Sequence, residues 1–77
     1  MSLEELKTAL RLDNQTIAGW VRELRNPDGE AVDRTNVYHA LRTGTPKWLL
    51  AEINDKIRDS RSKYPEYYRD LNGKTDK

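Results

Sequence analysis

Val32-Asp33-Arg34-Thr35-Asn36-Val37-Tyr38-His39-Ala40-Leu41-Arg42-Thr43-Gly44 spells a short helix with its own start, its own stop, and a polar face that no core requires. Asp33 is a good N-cap, because its carboxylate can accept a free backbone N–H of the first turn. Gly44 suits the residue just past the helix, where the chain turns left-handed and other residues would strain. Between them Val37, Ala40 and Leu41 fall at i, i+3 and i+4 and make one narrow apolar stripe. Arg34, Thr35, Asn36, Tyr38, His39 and Arg42 are left facing outward. Each of the six donates hydrogen bonds, and none carries a negative charge.

The segments on either side fit a helical domain. Downstream, Thr45 and Pro46 predict an immediate restart, with Thr45 as cap and Pro46 at the first helical position. Leu49, Leu50, Ile53 and Ile57 give that helix a core face running to about residue 62, where Tyr64 and Pro65 break it. A short last helix over 66–71 and a frayed tail after Asn72 and Gly73 complete the chain. Upstream, Asn26-Pro27-Asp28-Gly29 is a turn signal, since proline presets the geometry and glycine accepts the dihedrals that follow. Before it, Ile17, Trp20, Val21 and Leu24 predict a helix that begins at Asp13 or Asn14 and runs to about Arg25, with Trp20 in the core. Ser2 and Glu5 have the spacing of a capping box, and Leu3, Leu6, Ala9 and Leu10 continue as a helix near 3–11. No strand alternation, internal repeat or low-complexity segment interrupts this pattern. The expected fold is all-α, a compact four- to five-helix domain.

The Val32–Gly44 string resembles the recognition helix of helix-turn-helix repressors of the phage-repressor and lactose-repressor-like groups. It shows their valine (Val32), capping residue (Asp33), polar run (Arg34, Thr35, Asn36), second valine (Val37) and leucine-arginine-glycine exit (Leu41, Arg42, Gly44). The resemblance implies a DNA-binding domain over residues 1–63, with the second helix supporting and the third reading the major groove. Residues 64–77 would form a tyrosine-containing helix and tail. It also implies a small phage-like transcriptional regulator, with a homodimer on an inverted repeat as the usual arrangement. One departure stands out: the compact motif joins its two helices by three or four residues, whereas here residues 26–32 intervene. Either the second helix is extended, or the connection carries a small projection around Pro27, Asp28 and Gly29.

Charge points the same way once it is divided along the chain. The net charge of the 77 residues is only +1. Residues 1–33 hold four Lys/Arg against seven Asp/Glu, while residues 34–77 hold ten against six. Between 34 and 51 the only charged side chains are Arg34, Arg42 and Lys47, beside a titratable His39. A basic face centred on one helix is the footprint of a phosphate-binding surface; a solvated face with acidic neighbours close in space is the plain alternative. A chain this short buries about 60% of its unfolded surface, so stabilisation by a partner or a second copy would be unsurprising. There is no cysteine, hence no disulfide framework and no thiolate metal site. The longest apolar run, Trp48-Leu49-Leu50-Ala51, is far short of a membrane span. The opening residues show no basic stretch followed by an apolar one, so no signal peptide is expected and a cytoplasmic location fits.

From the resemblance, the base-reading candidates are Arg34, Thr35, Asn36, Tyr38 and His39, since Arg suits guanine and Asn suits adenine. Arg34 also sits in the first turn, where the helix dipole disfavours a cation unless an anionic partner is near. Arg42, Thr43, Thr45 and Lys47 flank the Gly44 turn as phosphate-binding candidates, beside a helix N-terminus that favours anions. Trp48 either points its indole N–H at a phosphate or packs into the core. A single histidine, no glycine-rich elbow and no phosphate-cradling loop argue against catalysis, so the chain is expected to be no enzyme, with no cofactor, metal or small-molecule substrate. Two rival functions use the same scaffold. One is a protein-interaction adaptor acting through Tyr64, Tyr67, Tyr68 and the Trp48 region; the other is RNA binding with tyrosines stacked on unpaired bases. The tyrosines could equally fold back over the end of the first helix.

Overall fold

In a computed structural model, which describes residues 2–69, the Ser2 hydroxyl accepts the Glu5 N–H at 3.2 Å and opens α1 (Leu3–Leu12). Only this half of the expected capping box forms, because the Glu5 carboxylate reaches across to Arg61 at 3.2 Å. Leu6, Ala9 and Leu10 line one side of α1 and are buried. Helices α2 (Ile17–Val21), α3 (Arg34–Thr43) and α4 (Lys47–Lys63) follow, and residues 65–69 are again helical and are called α5. The fold is therefore all-α, as expected. The predicted end of the last helix at 71 and the frayed tail fall on residues 70–77, outside the described residues.

The long axis is α4. Its residues Leu49, Ile53 and Ile57 recur at intervals of four and are buried with Ser60, which puts them on one side of the helix. That side packs chiefly on α1 and, at its N-terminal end, on α3. Val37 and Ala40 of α3, Trp20 and Val21 of α2, and Val32 from the preceding loop close the core. Each fully buried Leu or Ile contributes about 1.5–3 kcal/mol relative to exposure. That is a large share of what a domain of this size can have.

The second helix is much shorter than its apolar spacing predicts. It does not begin at Asp13 or Asn14. Those residues terminate α1, with Asn14 at φ +59° and the Gln15 N–H returning to the Leu10 carbonyl at 2.8 Å. Asparagine tolerates this left-handed conformation better than most residues. The cap of α2 is Thr16, whose hydroxyl accepts the Gly19 N–H at 3.0 Å. Nor does the helix reach Arg25. After Val21 the chain tightens into i to i+3 bonds, Glu23 N–H to Trp20 and Leu24 N–H to Val21. It then enters a projecting turn closed by an antiparallel bridge between Arg25 and Ala31. Asn26 organises that turn: its side-chain oxygen accepts the N–H groups of Asp28 and Glu30, each at 2.9 Å. Gly29 completes it at φ +84°. Of the two readings of the long connection, the structure has the projection.

Across the molecule, the Asp13 carboxylate takes the Lys56 ammonium, the Lys63 ammonium at 3.1 Å and the Tyr64 hydroxyl at 2.7 Å. These contacts hold the Asp13 carboxyl well below the usual carboxylate range, the bond from Lys56 mattering most and the Tyr64 hydroxyl next. They pin the C-terminal end of α4 to the end of α1.

Candidate functional site

The face singled out in the sequence lies on α3, and its capping explains why the helix starts where it does. The Asp33 carboxylate accepts the Asn36 N–H at 3.1 Å, and the Asn36 side-chain oxygen accepts the Asp33 N–H at 3.0 Å. At the far end Gly44 takes φ +81°, and its N–H bonds to the Ala40 carbonyl at 2.8 Å. Arg34, Thr35, Asn36, Tyr38, His39 and Arg42 are all exposed, so the long loop before α3 does not cover its polar face.

With Val37 and Ala40 buried and Leu41 partly so, the 100° step per residue sorts the exposed positions. Thr35, His39 and Arg42 form the outermost ridge. Arg34 and Tyr38 flank it toward α1 and α2, where they border a hollow of about 270 Å³. Asn36 flanks it on the opposite side, facing the projecting turn and Trp48 across a second hollow. The five base-reading candidates therefore share one helix but not one direction. Asn36 spends its carbonyl oxygen on the cap and keeps only its NH2 free.

The phosphate-binding candidates lie around the α3–α4 turn. Arg42 and Lys47 are exposed. The Thr43 hydroxyl donates to the His39 carbonyl at 2.8 Å and lies 3.1 Å from the Thr45 hydroxyl, so both threonines shape the turn. Thr45 is not the cap of α4. Pro46 occupies that position with extended backbone and no side-chain cap, because the Thr45 hydroxyl is turned back toward Thr43. The N–H groups of Leu49 and Leu50 bond to the Pro46 carbonyl. Those of Lys47 and Trp48 find no partner among the described residues, which is the ordinary condition of a helix start.

Electrostatics separates this face from the rest of the second half of the chain. The basic residues from Lys56 onward in α4 and Arg69 in α5 are paired: Lys56 and Lys63 with Asp13, Lys63 also with Asp59, Arg58 with Asp55, Arg61 with Glu5, and Arg69 with Glu66. Among the described residues, Arg34, Arg42 and Lys47 make no ion pair. The positive balance of the second half, diffuse in the sequence, is thus left uncompensated around α3. Two acids come near: Asp33, whose carboxylate caps the first turn of α3, and Asp28, at the tip of the projecting turn, which borders the hollow shared by Asn36 and Trp48.

The aromatic residues other than Tyr38 are committed elsewhere. Trp20 is buried, and Trp48 is half-buried and packs against the core, the second of the two roles open to it. Tyr64 donates to Asp13, the Tyr68 hydroxyl lies 2.9 Å from that of buried Ser60, and Tyr67 meets Tyr68 edge-on at 5.4 Å. The tyrosines fold back onto α4 and the end of α1. The Tyr64 hydroxyl is pushed up from its ordinary value, chiefly by its bond to Asp13, and the Lys63 ammonium is pushed up for the same reason, with Asp59 second.

Two groups escaped the sequence reading. Asp13 looked like a helix cap because its partners lie more than forty residues away in the chain. Lys7, which no motif in the sequence singles out, borders the same hollow as Arg34 and Tyr38. No helix among the described residues is long and apolar enough to cross a membrane, and no cluster of three or more His, Asp or Glu is gathered there. No protein-family model, curated protein or solved structure matches the chain significantly.

Proposed function

We propose that this chain is a sequence-specific DNA-binding regulator of transcription, a phage-like module of the helix-turn-helix kind, with α3 entering the major groove. The observation that carries this is the α3 face itself: exposed along its length, made only of hydrogen-bond donors beyond its Asp33 cap, and bordered by cations that make no ion pair among the described residues. An α-helix fits the major groove, and residues of its first turns reach base edges most easily. Thr35 and His39 on the ridge, with Tyr38 beside them, are the base-reading set, and the NH2 of Asn36 reaches the groove from the flank. Arg42 and Lys47, with Thr43 and Thr45 holding the turn between them, meet phosphates beside the open start of α4. On this account the protein is a binding module and no enzyme. It acts in the cytoplasm, and two copies on an inverted repeat is the arrangement its resemblance to repressors implies.

Phosphate contacts position a protein on DNA, whereas base contacts specify the sequence. The test is selection of preferred duplexes from a random pool with the wild type, His39→Ala and Lys47→Ala. His39→Ala should change the preferred sequence and cost about 1–3 kcal/mol at the wild-type site. Lys47→Ala should weaken all duplexes alike and leave the preference intact. Identical behaviour of the two variants would refute the division into readers and phosphate contacts.

A further inference from the structure

The hollow between α1, α2 and α3 places cations from two separate helices at one opening. Lys7 comes from the outer side of α1 and Arg34 from the first turn of α3, and both border the hollow with Tyr38. No Asp or Glu lines it, and neither cation has an ion-pair partner among the described residues. Arg34 also sits where the positive end of the α3 dipole opposes it. Two like charges border one opening, and an anion bound there would offset their mutual repulsion. The Gln15 side chain also lines this hollow and carries an amide NH2, a neutral donor.

We propose that Lys7 and Arg34 together seat one phosphate group in this hollow, with the Gln15 amide as an additional donor. The guanidinium offers paired N–H donors to two phosphate oxygens, while the ammonium acts as a point charge from the other side. That the phosphate belongs to a DNA backbone rests on the function proposed above; the seat itself does not. It gives Arg34 a different role from the guanine contact expected from its sequence position. Arg34 anchors the backbone on the α1 side of the groove, and base reading passes to the outer ridge of Thr35 and His39. It also orients the complex, because the acidic tip at Asp28 lies on the opposite flank of α3, where a phosphate strand would be repelled.

The experiment compares the wild type with Lys7→Gln, Arg34→Gln and the double variant. Both residues are exposed, and glutamine keeps helix propensity, so folding should be retained. Backbone amide NMR shifts are followed while inorganic phosphate is added, and duplex affinity is then measured across a salt series. Phosphate should shift amides around Lys7, residues 15–18 and Arg34 in the wild type, and the double variant should lose that response. Each single variant should bind duplexes several-fold more weakly with unchanged sequence preference. The double variant should lower the salt slope by about 0.9, the value for one phosphate contact. A phosphate response without duplex binding keeps the seat and assigns it to a free phosphorylated ligand, which would sink the DNA function instead. Duplex binding indifferent to Lys7→Gln, a sequence preference altered by Arg34→Gln, or no phosphate response at the hollow would each overturn the seat.

Discussion

Replacing Asp13 by asparagine keeps the size of the side chain and removes the charge that three partners share. The Asp13 side chain is 11% exposed and that of Lys56 13%, so the substitution strands an ammonium that has little access to water. Breaking a buried pair by removing one partner costs about 3–5 kcal/mol. Residual water contact here brings the expectation to the lower end, about 2–3 kcal/mol, in keeping with hydrogen bonds to charged groups. Lys63 adds little, because it is half exposed and retains Asp59 at 3.3 Å. A chain of this length has about 4–12 kcal/mol of stability in total, so the loss is a large fraction. In a domain of this size each kcal/mol moves Tm by about 4–8 °C, which makes a fall of about 10–20 °C. The assay is urea unfolding, where the midpoint should drop at unchanged slope. Arg58→Ala is the control, since its pair with Asp55 is exposed on both sides and should be worth under about 0.5 kcal/mol.

The pH dependence has a definite sign. The carboxyl of Asp13 is depressed in the folded state, so its contribution is fully present above the ordinary Asp value of about 3.9 and is lost as pH falls toward the folded value. The gap between wild type and Asp13→Asn should hold from about pH 5 to 8 and close below about pH 4. The raised Lys63 and Tyr64 act at the other end: what they contribute is present below about pH 10 and fades above it. Equal stability of Asp13→Asn and wild type at pH 7 would refute the reasoning, as would a gap that widens in acid.

Two substitutions test the local devices that present α3. Gly44→Ala meets open space but must adopt φ +81°, so it should destabilise by about 1–2 kcal/mol, seen as a lower melting temperature with α3 still helical. Asn26→Ala removes the acceptor for two N–H groups and should cost about 1–2 kcal/mol. Hydrogen exchange should speed up at the Asp28 and Glu30 amides, while DNA binding stays unchanged.

What the sequence disclosed and what it withheld divide by range. The α3 boundaries were legible because Asp33 and Gly44 act on their own neighbours, and the α4 core face because Leu49, Ile53 and Ile57 repeat along one helix. Helix α2 was misjudged because Ile17, Trp20, Val21 and Leu24 keep a helical spacing while Asn26 pulls the backbone into a bridge instead. Asn26 was read only as part of a turn; that its side chain binds two backbone amides depends on the closure of that turn. The start of α4 was misplaced by one residue, since nothing local says that the Thr45 hydroxyl turns back to Thr43. Of the candidate site, exposure and donor character were visible in the residue types. What borders Arg34 on one flank and Asn36 on the other needed the positions of α1 and Trp48. So did the pairing of Lys56, Lys63 and Arg61, because Asp13 and Glu5 lie at the other end of the chain.

DNA binding through the unneutralised α3 face is tested most directly by wild-type affinity for random-sequence duplex measured from low to physiological salt. Each phosphate engaged releases condensed counterions, so log K should fall linearly with log salt by about 0.9 per contact. With Arg42, Lys47 and the Lys7–Arg34 pair engaged, a steep fall is expected, with Lys47→Ala flatter than the wild type by about one contact. Absence of binding at the lowest salt, or an affinity that does not respond to salt, would contradict the account.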